Sequence, residues 1–114
     1  MSQLTRKHLS QPWFDYIKNG NKVIEGRINN PESFFAKVEI GTSFVFYNNQ
    51  KELMVKTIRK TTYPTFKEML EAETLEKVLP GIKTIEDGVQ EYYKFEGFQE
   101  NEKLYGVVAL ELGL

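Results

Sequence analysis

The chain of 114 residues has no cysteine and a single histidine, His8. Disulfide frameworks, thiolate metal sites and cysteine nucleophiles are thereby excluded, and one imidazole is no basis for a zinc site, so neither a metal nor a cofactor is expected. A Ser-His-Asp arrangement would have to recruit His8 from the segment TRKHLSQPW, where a structural or surface histidine is the simpler expectation. The phosphate-loop pattern G-x-x-x-x-G-K-[ST], the G-x-G-x-x-G fingerprint, the G-x-S-x-G elbow and H-E-x-x-H are all missing. No run approaches the ~18 apolar residues of a membrane span. The opening MSQLTRKHLSQPW also lacks the apolar centre of a secretory leader. These features lead to the expectation of a cytoplasmic protein without a membrane partner, and no pattern specifies an oligomeric state.

The residues that are present suit a globular domain. Hydrophobic residues make up 40%, charged residues 27% and aromatics 13% of the chain, and the length matches one domain over residues 1–114. The formal net charge of −1 conceals an asymmetry. Residues 1–60 carry ten Lys or Arg against five acids, whereas residues 61–114 carry five against eleven. Either one face is basic enough to favour a polyanion, or the halves neutralise each other across the fold.

Ser10 as N-cap, Pro12 in the first turn and the stripe Trp13, Phe14, Ile17 predict a helix over 11–18 that stops at Asn19-Gly20. The β-branched KVIEGRI reads as a strand, and NNPESFFAKVEIG as a connection whose Phe34 and Phe35 dock on the core. TSFVFYN and ELMVKTIRKT, separated by NNQK, predict a β-hairpin. Past Pro64 the period changes: Phe66, Met69 and Leu70 predict a helix over 65–71, and TLEKVLPG a helical turn capped by Thr74. In TIEDGVQEYYKF, Thr84 and Asp87 have capping-box spacing, while Gly88 costs that helix about 1 kcal/mol. LYGVVALEL closes the chain as a buried strand. Strands, then helices, then a returning strand indicate an α+β fold built on a small mixed β-barrel.

The segment NGNKVIEGRIN, residues 19–29, sets three charges of mixed sign among aliphatic neighbours. In a regular strand Glu25 and Arg27 share a face with Val23, and Lys22 joins them only if the backbone twists or bulges, for which Gly20 and Gly26 leave room. One alternative is a pocket holding all three charges; the other is a solvated face with one Glu–Arg pair, worth at most ~1 kcal/mol.

GNKVIEGRI resembles the G-x-K-x-x-E-x-R signature of the ASCH domain, a family of PUA-like β-barrels. RKTTYPTFKEMLEAETLEKVLPG resembles the family's strand ending at a Tyr, its Thr-Phe helix start and its Pro-Gly, and VQEYYKF with YGVVALEL resembles the closing helix and strand. The resemblance implies a barrel of about five or six strands flanked by short helices, with a cleft for RNA or a modified nucleotide or nucleoside. Carried over by position, Lys22, Glu25 and Arg27 line that cleft, Thr65 and Phe66 border it, and Tyr93 lies nearby. Lys22 and Arg27 would then meet phosphate or a base carbonyl, Glu25 would accept from an exocyclic amine, and Tyr63, Phe66 or Tyr93 would stack on a base. Core packing is the competing reading for Tyr63, Phe66, Tyr92 and Tyr93.

One branch of small bacterial ASCH proteins is similar to an amidohydrolase of N4-acetylcytidine that uses a Lys, a Thr three positions on and a Glu from the following helix. On that resemblance Lys22 matches, Glu25 stands where the Thr would be, and Glu71 or Glu73 is the candidate base, giving Lys22, Glu25 and Glu73 as a catalytic set if the protein is an enzyme. As simple helix charges, those two glutamates would be solvated. A third alternative is an interaction domain, with Phe34, Phe35 and Phe98 forming an exposed patch.

Overall fold

The computed structural model describes residues 4–114. Within these residues five strands, β1 (Arg6–His8), β2 (Ile24–Ile28), β3 (Ser43–Asn48), β4 (Lys51–Tyr63) and β5 (Val107–Gly113), form one sheet in the order β1-β3-β4-β5-β2. β1 runs parallel to β3, and every other pairing is antiparallel. The sheet curls into a half-barrel whose two edges, β1 and β2, do not pair. Among the described residues, six helices complete this α+β fold: α1 (Trp13–Lys18), α2 (Phe34–Lys37), α3 (Phe66–Glu73), α4 (Leu75–Val78), α5 (Ile85–Tyr93) and α6 (Phe98–Tyr105).

The hairpin expected from TSFVFYN and ELMVKTIRKT is β3–β4, but β4 runs on to Tyr63. Its first half pairs with β3 and its second with β5, and the register shifts between Thr57 and Arg59. The side chain of Thr65 accepts from Glu68 N, and that of Thr84 from Asp87 N, so both open helices as their spacing implies. Three expectations are corrected. α1 begins at Trp13, and Ser10 supplies only a main-chain acceptor; the side chain of Gln11 takes the capping role by accepting from Asp15 N at 3.1 Å. Thr74 makes no side-chain cap, because its φ of 82° turns the chain between α3 and α4. Phe34 and Phe35 belong to a short helix capped by Ser33 and pack into the core, and Phe98 is half-buried, so the three form no exposed patch.

The core has two parts, one on each face of the sheet. Val108, Leu110 and Leu112 of β5 face the half-barrel interior with Phe14, Phe44 and Phe46. Val107 and Ala109 face the helical layer with Phe66, Met69 and Leu70. This double burial explains why β5 is almost continuously apolar. β2 follows the same alternation: Ile24 and Ile28 join the helical side, while Glu25 and Arg27 lie opposite Leu110 and Val108 on the interior face.

Gly26 pairs with Ala109, which leaves a shallow place on the helical face. Its register is regular, so it makes no bulge. A Cβ there would lie 2.7 Å from Met69 Sδ and 2.9 Å from the Tyr92 hydroxyl, so the glycine is required by close approach. Gly26→Ala is expected to destabilise the protein by about 1–3 kcal/mol through overpacking, read as a lower urea midpoint with an unchanged m-value.

Candidate functional site

Lys22 stands before β2, not in it. Its main-chain N–H donates to Tyr16 O at the end of α1, and the next N–H, of Val23, donates to Lys77 O in α4. Placed by two helices, the Lys22 side chain turns inward and is 2% exposed. Its Nζ donates to Ile24 O at 2.6 Å and Val78 O at 2.5 Å, and lies 3.2 Å from Glu25 Oε1. An ammonium has three donors and here meets three acceptors, whereas a neutral amine has only two N–H groups. Burial pulls the Lys22 pKa below its ordinary value, and the Glu25 charge opposes that pull.

Glu25 is 5% exposed and held from two sides. Its Oε2 accepts from Arg27 Nε at 2.7 Å while Oε1 faces Lys22. Burial is the strongest single influence and raises its pKa, yet Lys22 and Arg27 together outweigh it and hold the carboxyl below the usual range. Arg27 also reaches across the seam between the sheet edges, with Nη2 3.4 Å from His8 O, and lays its guanidinium 4.2 Å from the centroid of the Phe35 ring. The remaining Arg27 N–H groups donate to no other group among the described residues.

These three side chains stand in the wall of a cavity of about 460 Å³ at the open seam of the half-barrel, within the size range of small-ligand sites. Lys7 and His8 of β1 form one side, and Glu25, Gly26 and Arg27 of β2 the other. Trp13 closes it from α1, Tyr92 and Phe98 from α5 and α6, and Phe95 from the turn between them. A second depression continues past Trp13 and Phe95 toward Tyr16 and Gly81. Among the described residues, no cluster of three or more His, Asp or Glu is placed to hold a metal ion.

The other candidate residues lie elsewhere. Phe66 is fully buried and stacks on Tyr92 with centroids 4.0 Å apart and on Phe98 at 6.1 Å, so it backs the cavity wall without lining it. Tyr93 donates to Glu102 Oε1 at 2.6 Å, a bond that pushes its pKa up to about 12. With Thr65 and Glu71 it borders a different depression between α3 and α5. Tyr63 donates to Glu73 Oε2 at 2.5 Å, and Arg59 binds both oxygens of Glu73 at 3.0 and 2.6 Å. Glu73 is thus engaged outside the cavity lining, with its pKa held down by that Arg59 fork. The aromatic lining of Trp13, Tyr92, Phe95 and Phe98 went unread in the sequence; the small residue Gly26 inside a strand was the available sign of a close approach.

Two outcomes follow from the trio. Lys22→Met leaves Glu25 short of one cation and two carbonyls without their donor, and is expected to cost about 3–5 kcal/mol in chemical denaturation. Glu25 and Glu73 both have folded pKa values below 4.5, the ordinary carboxyl value. Their contribution is complete above that value and is lost as pH falls through the depressed folded values. Unfolding free energy measured against pH should fall on the acid side, less steeply in Glu25→Gln than in the wild type.

The family model described as the ASCH domain matches residues 8–114. A crystal structure described as that of hypothetical protein PH0355 is 39% identical, with a TM-score of 0.85, and the match covers 96% of this chain and 97% of that one. The solution NMR structure of protein PF0455 from Pyrococcus furiosus is 37% identical, with a TM-score of 0.78 and 96% of each chain covered. No curated protein matches. With the charged strand, the half-barrel and its seam arranged as described, and a family model spanning nearly the whole chain, this protein belongs to the ASCH domain family.

Proposed function

We propose that this ASCH domain binds single-stranded RNA or a nucleotide through the seam cavity, with a base held among its aromatic side chains. ASCH domains are generally thought to bind RNA. The observation that carries the reading is the composition of the cavity: four aromatic residues surround a wall that contains a buried carboxylate and an arginine with donors to spare. A base has two apolar faces and a polar edge, and this lining offers both kinds of surface. Arg27 is the cation for a phosphate or base carbonyl, because the donors of Lys22 are already taken. Lys7 at the rim supplies a further positive charge. The role of Lys22 is to hold Glu25 in place.

Hydrolysis of an N4-acetylcytidine-like amide draws less support. Lys22 would have to release three acceptors before its nitrogen became nucleophilic, and Glu73 is engaged by Arg59 and Tyr63.

Phe95 is 48% exposed at the mouth, so its removal leaves the core intact. Phe95→Ala is expected to weaken binding of a fluorescently labelled single-stranded RNA by about 1–3 kcal/mol with little change in melting temperature. Wild-type affinity should fall with added salt, and Lys7→Ala should flatten that dependence by roughly one counterion. Salt-independent binding, or none, refutes polyanion recognition at this site.

A further inference from the structure

Ladder geometry decides which main-chain groups of β2 are used. Leu112 N donates to Val23 O and Asn29 N to Gly106 O, so the odd-numbered residues of β2 exchange hydrogen bonds with β5. The N–H and C=O of Ile24, Gly26 and Ile28 therefore point away from β5, toward the free edge of the sheet. Ile24 O is taken by Lys22 Nζ. Gly26 is buried, lines the cavity, and has no side-chain partner for its main-chain groups among the described residues. Beside the cavity, these groups are available to a ligand.

Tyr92 packs behind Gly26 on the helical side of the sheet. Tyr92 is 7% exposed, and its hydroxyl has no hydrogen-bond partner among the described residues. The ring is anchored by its stack on Phe66, and the hydroxyl is packed against Gly26, within 2.9 Å of where a Cβ would stand. An unsatisfied buried hydroxyl costs stability, while phenylalanine would fill the same space without that cost. The Tyr92 hydroxyl has essentially no accessible surface, so it backs Gly26 and is closed to the cavity.

We infer that the cavity recognises its ligand through the free edge of β2: the Gly26 N–H and C=O form the donor and acceptor edge that pairs with a nucleobase. The inference rests on the nucleotide reading and specifies how that site reads its ligand. Bases present adjacent donors and acceptors along one edge, which main-chain groups of a single residue match. An added peptide strand would need a continuous row of free groups. Here the row is interrupted, because Ile24 O is occupied and aromatic side chains close the space around Gly26. The role of Gly26 becomes double: it admits Met69 and Tyr92 on one face and leaves its peptide groups open to the cavity.

The test titrates each of the four nucleoside 5′-monophosphates into isotopically labelled protein, following amide resonances. The expected result is that the Gly26 amide is among the most shifted on binding and exchanges more slowly with solvent. Binding that leaves the Gly26 amide unmoved overturns this inference while the nucleotide reading stands. If the wild type binds neither the monophosphates nor a short single-stranded RNA, the nucleotide reading fails and this inference with it.

Discussion

The site depends on a carboxylate kept ionised inside the protein. Glu25 is buried on the interior face of β2, where an isolated charge would be very costly, and it remains an anion because Lys22 and Arg27 flank it. Each cation also does a second task. Lys22 joins the end of α4 to the start of β2 through Val78 O and Ile24 O. Arg27 spans the seam toward His8 O and covers Phe35. The trio thereby fixes the distance between elements that no sheet hydrogen bond connects.

An open seam in a curled sheet is an uncommon place for exposed edge groups, since free edges invite unwanted pairing. In this domain the edge of β2 is shielded by aromatic side chains and by Lys22, so the opening is enclosed enough to hold a ligand and closed to a passing strand. The division of labour within the charged triplet follows from counting donors. Lys22 has none left, whereas Arg27 has several, and the two cations that look equivalent in the sequence have different tasks.

Much of the frame was legible before any coordinates, because it rests on local chemistry. The β3–β4 hairpin follows from two alternating runs around a short turn, and the starts of α3 and α5 from Thr65 and Thr84 at capping distance. The elements that escaped notice have weak local signals. β1 is three residues long and exists through parallel pairing with β3. α6 buries Glu102 as its one fully buried residue, with Phe98 half-buried at its start, too sparse a stripe to announce a helix. The Lys22–Glu25–Arg27 grouping was readable as an option, but its geometry was not: Lys22 meets Glu25 from outside the strand, with no bulge at Gly26. The choice between Tyr92 and Tyr93 was equally hidden. Neighbours on a helix point roughly 100° apart, and only the packing of Phe66 decides which one turns toward the cavity.

β5 lies between β2 and β4 and lends side chains to the core on both faces of the sheet. A nascent chain can form the β3–β4 hairpin early, but the partner that aligns Glu25 and Arg27 is not synthesised until residues 107–113 have been translated. Assembly of the cavity wall is thus deferred until release of those residues from the ribosome, and a fragment ending before them would lack the strand that joins β2 to the rest of its sheet.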